Sequence, residues 1–249
     1  MAEKTFVMRI ERRDSPGGAP YWQEFDVPLE PSMNVIAALQ AIRRDPVTRE
    51  GKRVDPVVWE SNCLEEVCGA CTMVVNGRVR QACSALVEKI ARPVVLRPMT
   101  KFPVLRDLVV DRSSMFENLK RVRAWIPIDG TYDIGPGPRM SDGEAQRGYV
   151  LSRCMSCGCC LEVCPQVNER SEFMGPAVMS QVVLFNSHPT GRMNREERLA
   201  AVMGPGGISD CGKAQNCVTA CPKDIPLTES LVRLARETTA FSIRELLRK

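Results

Sequence analysis

Cysteines of one type and one rhythm mark two runs of this chain: Cys154-Met-Ser-Cys157-Gly-Cys159-Cys160-Leu-Glu-Val-Cys164-Pro165 and Cys211-Gly-Lys-Ala214-Gln-Asn-Cys217-Val-Thr-Ala-Cys221-Pro222. The first is C-x2-C-x2-C-x3-C-P in full, a spacing that lets regularly placed thiolates wrap one iron-sulfur cube while the closing cysteine reaches a neighbouring cluster. The second keeps the frame but has Ala214 where a cysteine would stand, and a methyl group has no lone pair to give iron. With each closing cysteine ligating the other run's cluster, the spacing predicts a 4Fe-4S cluster on Cys154, Cys157, Cys160 and Cys221. Cys164, Cys211 and Cys217 then hold a cluster short of one iron, a 3Fe-4S. Cys159 falls outside the frame and is expected to be a small buried side chain with an inert thiol. Pro165 and Pro222 fix φ just after the last ligand of each run and turn the chain away.

A third constellation lies upstream. Cys63-Leu-Glu-Glu-Val-Cys68-Gly69-Ala-Cys71, followed by Cys83, is C-x4-C-x2-C with a distant fourth cysteine, the plant-type spacing for a 2Fe-2S cluster. Gly69 suits a loop whose backbone must curl close around sulfide. Between Cys71 and Cys83 the dipeptide Asn76-Gly77 separates two β-rich runs, the strongest short hairpin signal. If those two residues form the loop, Val75 faces Arg78, Val74 faces Val79 and Cys71 faces Ala82, so the hairpin delivers Cys83 beside Cys71.

Structural zinc competes for such cysteines, since thiolate suits both metals. Zinc favours separated pairs closing a tetrahedron, whereas here regular triplets recur with a fourth cysteine before proline. A disulfide framework is disfavoured because nothing in the chain suggests an oxidising compartment. The N-terminal Met1-Ala-Glu-Lys-Thr-Phe-Val7 has no apolar signal core, and no apolar run is long enough to span a bilayer. These features predict a chain soluble by itself that stays where thiols are reduced.

At 249 residues and 44% hydrophobic content the chain can build two packed domains. Its formal charge of +4 is too small to argue for nucleic acid. Lys89 to Arg153 carries twelve Lys and Arg against seven Asp and Glu, which reads as a solvated surface or as a docking face for an acidic partner or membrane headgroups.

The elements that must position these cysteines follow from patterning. Thr5–Glu11 and Tyr21–Val27 read as two strands of a hairpin across Pro16-Gly17-Gly18, and Asn34–Ile42 as a helix with Val35, Ala38, Leu39 and Ile42 on one face. Pro93–Pro98 reads as the last strand of this region. From Leu105 the spacing of Leu105, Leu108 and Val109, then Met115, Leu119 and Val122, is helical, which sets the expected domains at 1–103 and 104–249. Ile126–Met140 reads as a long irregular loop. Ser141 or Asp142 should cap a helix running into Cys154, and Ala177–Phe185 should be a buried helix ending near His188, itself a C-terminal cap. Asn194 should cap Arg195–Met203, and Thr228 to the C-terminus should form an amphipathic helix.

Taken in this order and at this length, the plant-type cysteine loop, the complete C-x2-C-x2-C-x3-C-P and the gapped second run resemble the iron-sulfur subunits of succinate dehydrogenase and quinol:fumarate reductase, the complex II family. The resemblance covers essentially the whole chain. It implies an α+β architecture, a plant-ferredoxin-like (β-grasp) N-terminal domain followed by an α-helical ferredoxin-like C-terminal domain. It implies electron passage from FAD in a flavoprotein subunit through the 2Fe-2S, 4Fe-4S and 3Fe-4S clusters to haem or quinone in a membrane anchor. Implied too is a peripheral position on the cytoplasmic face of the bacterial plasma membrane, held by that anchor.

Many members place a tryptophan shortly after the first Cys-Pro and a histidine just after the first cysteine of the second run, near the quinone. Here Glu169 and Gly212 occupy those places. Cys154–Asn168, Gln181–Arg198 and Cys211–Thr228 look more like the branch whose anchor is a single cytochrome b with two haems and whose quinone is menaquinone. The competing functional readings are fumarate reduction by the same kind of complex, a free ferredoxin-type carrier, and an adaptor to another flavin- or thiol-linked reductase.

Overall fold

The computed structural model describes residues 5–126 and 139–248, so most of the expected loop Ile126–Met140 lies outside the described residues. Along the chain the helices are α1 Val35–Arg44, α2 Ser113–Arg121, α3 Asp142–Ser152, α4 Cys159–Glu162, α5 Pro176–Ser187, α6 Arg195–Met203, α7 Asn216–Thr219 and α8 Leu227–Leu247. The strands are β1 Thr5–Arg12, β2 Tyr21–Pro28, β3 Thr72–Val75, β4 Arg78–Gln81, β5 Val94–Arg97, β6 Val104–Arg106 and β7 Val109–Val110. The chain divides into two compact units, Met1–Arg112 with Met155–Glu162, and Ser113–Cys154 with Val163–Lys249.

In the first unit, β1 and β2 form the expected antiparallel hairpin, with Met8 opposite Phe25 and Ile10 opposite Gln23. Alternation sends Phe6, Met8 and Ile10 into the core together with Phe25 and Val27. Helix α1 lays Val35, Ile36, Ala38, Leu39 and Ile42 against that core. It starts where Asn34 Oδ1 accepts from Ala37 N at 2.8 Å, and the same side chain donates from Nδ2 to the Cys83 carbonyl at 2.9 Å. One asparagine therefore caps the helix and holds an expected cluster ligand.

The sheet order is β2-β1-β5-β3-β4. Strand β5, the last of the five in chain order as expected, lies in the middle of the sheet, parallel to β1 and antiparallel to β3. Asn76 and Gly77, with φ of 49° and 77°, close the β3–β4 hairpin in the left-handed conformations that a tight turn needs.

The helix expected from Leu105 is corrected here: residues 104–110 form the antiparallel pair β6–β7. Residues 104–112 accordingly belong to the first compact unit. The physical reason is a buried ion pair. Arg12 Nε donates to Asp107 Oδ1 at 2.7 Å with both side chains withdrawn from solvent, and Asp107 also accepts from Arg13 N at 3.1 Å and Val58 N at 2.8 Å. Three-residue spacing of leucines could not reveal that this turn is anchored to strand β1. Asp107→Ala would strand the Arg12 charge in the interior, and is expected to destabilise the unit by about 3–5 kcal/mol, measurable as a fall in the denaturant midpoint.

The second unit is helical. Helix α3 opens with a capping box in which Ser141 Oγ accepts from Glu144 N and the Glu144 carboxylate accepts from Ser141 N. Helix α5 is buried along most of its length and packs against α8 through Ser180 and Ser230, whose hydroxyls lie 3.5 Å apart. His188 is the C-cap of α5, with its backbone N–H on the Leu184 carbonyl. Asn194 departs from expectation, because its side chain donates to Glu197 Oε1 at 3.1 Å and caps no backbone N–H.

Arg198 is fully buried with no carboxylate contact to balance it among the described residues. Instead it donates to the carbonyls of Arg123, Trp125 and Gly191 and to Asn186 Oδ1, and burial, then the nearby Arg123 charge, lowers its pKa. It thereby pins the segment after α2 to α6.

Candidate metal centres and their ligands

The loop Cys63–Cys71 shows what a cluster ligand set requires. Cys63 Sγ accepts from the backbone N–H groups of Glu65, Val67 and Cys68 at 3.4, 3.3 and 3.3 Å, and Cys68 Sγ accepts from Ala70 N at 3.5 Å. Those N–H groups, Glu65 first, hold the Cys63 thiol down to about 7, which favours the thiolate that iron needs.

The loop can aim so many donors at sulfur because its backbone turns left-handed at Leu64, Glu66 and Gly69, with φ of 61°, 56° and 73°. The β3–β4 register is as expected, with Val75 opposite Arg78, Val74 opposite Val79 and Ala82 N donating to the Cys71 carbonyl at 3.1 Å. Cys71 and Cys83 are in hydrogen-bond contact, and burial first, then that contact, pushes the Cys83 thiol up to about 12. Cys63, Cys68, Cys71 and Cys83 thus converge, and their donor set fits a 2Fe-2S cluster, whose binding deprotonates each thiol.

Several residues around this loop were not flagged by the cysteine spacing. Arg112 donates from Nη1 to the Gly69 carbonyl at 2.9 Å and from Nη2 to Glu60 at 2.8 Å. Thr72 and Gln81 face each other at the mouth of the hairpin. That pairing follows from the Asn76-Gly77 register and was the available signal.

Residues 155–162 pack within the same unit. Glu162 closes the segment, its carboxylate accepting from Thr100 N, Thr100 Oγ1 and Lys101 N. Gly69 lies against Cys157 so closely that an added Cβ would stand 2.8 Å from Cys157 Cβ. Cys157 and Cys160 are both buried here, while Cys154 and Cys221 belong to the second unit.

Cys159 is fully buried, as expected, but its thiol is engaged: it accepts from Gln81 Nε2 at 3.5 Å and hydrogen-bonds the Cys157 side chain. That contact with Cys159 is the largest influence drawing the Cys157 thiol down to about 7. Cys159→Ser keeps a polar hydrogen at this place, and electron paramagnetic resonance of that variant is expected to show every cluster signal of the parent, since Cys159 is outside the ligand frame that the spacing predicts.

In the second unit, Cys164, Cys211 and Cys217 line one cavity of about 620 Å³, together with Ala214 and with Leu231, Val232, Ala235 and Ile243 of α8. Burial first, then the neighbouring Cys164, raises the Cys217 thiol. The loop between Cys211 and Cys217 turns left-handed at Lys213 and Gln215, with φ of 55° and 62°, and Asn216 Nδ2 donates to the Val163 carbonyl at 3.1 Å. Three cysteines and one alanine lining one cavity are a fit for a cluster with three cysteine ligands.

Comparisons with known proteins place the chain in a family. Residues 5–117 match the 2Fe-2S iron-sulfur cluster binding domain family and residues 150–225 the 4Fe-4S dicluster domain family. The chain is 57% identical over 242 residues to the succinate dehydrogenase iron-sulfur subunit of Bacillus subtilis (strain 168), covering 97% of this chain and 96% of that protein. It belongs to the succinate dehydrogenase and fumarate reductase iron-sulfur subunit family.

The fumarate reductase iron-sulfur subunit of Wolinella succinogenes is 30% identical, covering 96% of this chain and 99% of its own length. A chain of the Mycobacterium smegmatis Sdh1 complex in the apo form has the same fold, with a TM-score of 0.79, 25% identity and coverage of 96% and 97%. Members of the family are subunits of oxidoreductases, and the mixed sheet domain followed by a helical cluster domain is the architecture that the family resemblance implied.

Proposed function

We propose that this chain carries electrons one at a time within a succinate:quinone oxidoreductase. They enter from FAD in a succinate-oxidising flavoprotein partner and pass a 2Fe-2S cluster on Cys63, Cys68, Cys71 and Cys83. They continue through a 4Fe-4S cluster on Cys154, Cys157, Cys160 and Cys221 and a 3Fe-4S cluster on Cys164, Cys211 and Cys217. The acceptor is haem b or quinone, menaquinone in this reading, in a cytochrome b membrane anchor that holds the chain peripherally at the cytoplasmic face. The first unit carries the 2Fe-2S cluster, and the second carries the terminal one.

The observation that supports this most is the 57% identity with a succinate dehydrogenase subunit over 97% of the chain. The cavity that gathers Cys164, Cys211 and Cys217 beside Ala214 supports the terminal cluster. Attachment through a partner accords with the helices, none of which, among the described residues, is long and apolar enough to cross a membrane. Similarity to fumarate reductase subunits, such as the 30% identical Wolinella succinogenes protein, keeps the reverse direction as a second reading.

Purification from native membranes tests both. A flavoprotein and a haem-bearing anchor should co-purify with this chain, three cluster signals should be counted by electron paramagnetic resonance, and succinate:quinone activity should exceed quinol:fumarate activity. A chain that runs alone, without flavin or haem, would overturn the complex, and a reversed activity ratio would overturn the direction alone.

A further inference from the structure

The side chain of Gln81 is fully buried between two sets of cysteines in the first unit. Its Oε1 faces Thr72 Oγ1 at 3.0 Å and Cys71 Sγ at 3.8 Å, and its Nε2 faces Cys159 Sγ at 3.5 Å. Cys159 in turn hydrogen-bonds the side chain of Cys157. A hydroxyl has one proton to give, and that of Thr72 goes to the Gly69 carbonyl at 2.7 Å, its shorter contact. Once Cys71 binds iron as a thiolate it too can only accept. Both groups at that end of the carboxamide then need a donor.

The two ends of a carboxamide have nearly the same shape, so its partners decide its orientation. Turned by half a revolution about its last bond, Gln81 offers Nε2 to Thr72 and Cys71, and its oxygen to the thiol proton of Cys159. No backbone movement is required. A buried amide left with its oxygen against a thiolate would lose a hydrogen bond in a site with no water to replace it.

Resting on the cluster reading above, we infer that Gln81 is a positioning residue for electron transfer: in the loaded protein its amide donates to the Cys71 ligand sulfur while its oxygen accepts the thiol proton of Cys159. Donation to a ligand sulfur stabilises the more negative, reduced cluster, so Gln81 raises the 2Fe-2S potential.

The test uses the intact complex with glutamine labelled by nitrogen-15 in its side-chain amide. Pulsed electron paramagnetic resonance of the reduced 2Fe-2S cluster in the unsubstituted protein should show coupling to one glutamine amide nitrogen and to an exchangeable proton. Gln81→Leu should lose both couplings and shift the 2Fe-2S midpoint to a more negative potential while leaving the midpoint of the terminal cluster in place. Absence of the amide coupling from the unsubstituted protein overturns the inference even if the variant fails to load its cluster. So does an unmoved midpoint in a fully loaded Gln81→Leu. Absence of any 2Fe-2S signal from the unsubstituted protein overturns the cluster assignment itself, and this inference with it.

Discussion

Replacing Ala214 with cysteine is expected to convert the terminal cluster from three irons to four. The methyl group of Ala214 lies at the wall of the cavity that Cys164, Cys211 and Cys217 share, in a loop that is exposed and turned left-handed on either side of it. Such a loop can accept one extra thiol without repacking a core. A cube corner that no thiolate holds is bound by sulfide alone and loses its iron readily, and a cysteine there supplies the missing donor.

The added iron and thiolate change the charge of the site together, and the potential of the last carrier is expected to fall. Each step of about 59 mV in a one-electron potential changes the equilibrium for electron arrival tenfold. Ala214→Cys should therefore abolish the resonance of the oxidised 3Fe-4S cluster and raise the iron content. It should also slow quinone-linked turnover at least tenfold, while reduction of artificial dyes through the flavoprotein continues. An iron count that shows two four-iron clusters in the unsubstituted protein, isolated without oxygen, would defeat the argument.

The second large effect is expected at Gly69, where two requirements meet. Its φ of 73° is left-handed, which costs an L side chain about 1–2 kcal/mol. A Cβ there would stand 2.8 Å from Cys157 Cβ, 2.9 Å from Cys157 Cα and 3.1 Å from the Met155 carbonyl, so backbone must shift, and overpacking of that kind costs about 1–3 kcal/mol more. Unlike a surface glycine, this one is set between two ligand loops. Gly69→Ala is expected to deplete the 2Fe-2S and 4Fe-4S signals together and to leave the signal of the proposed 3Fe-4S cluster, whose three proposed ligands lie in the second unit. Selective loss of the 2Fe-2S signal alone would show that the contact with Cys157 relaxes at no cost.

The two variants act at opposite ends of the proposed electron path. Ala214→Cys leaves the structure intact and changes a potential. Gly69→Ala leaves the ligands intact and changes the backbone that aims them. Measuring iron content beside resonance separates the two, since the first raises it and the second lowers it.

Short-range chemistry was legible in the residues. Cysteine spacing pointed to the two cluster-domain families that the chain matches, because a cluster of fixed size demands ligands a few residues apart whatever surrounds them. The Asn76-Gly77 turn set the β3–β4 register by itself, since its two left-handed residues leave the strands one way to pair. The spacing of Val35, Ala38, Leu39 and Ile42 announced α1 for a comparably local reason, one apolar face at helical period.

Tertiary structure alone decided what depends on partners far along the chain. Leu105, Leu108 and Val109 have helical spacing yet fall in a strand pair and the turn that joins it, where Asp107 is held by Arg12 from 95 residues away in a buried ion pair that no local period reveals. Strand β5 lies between β1 and β3, a placement that no local pattern encodes, because its two faces satisfy strands from different parts of the chain. Gln81 looked like an ordinary hairpin residue until Cys159, 78 positions on, was seen against its amide. Spacing tells which atoms can bind iron, but which uncharged neighbours touch those atoms is settled only when burial forces every polar group to find a partner.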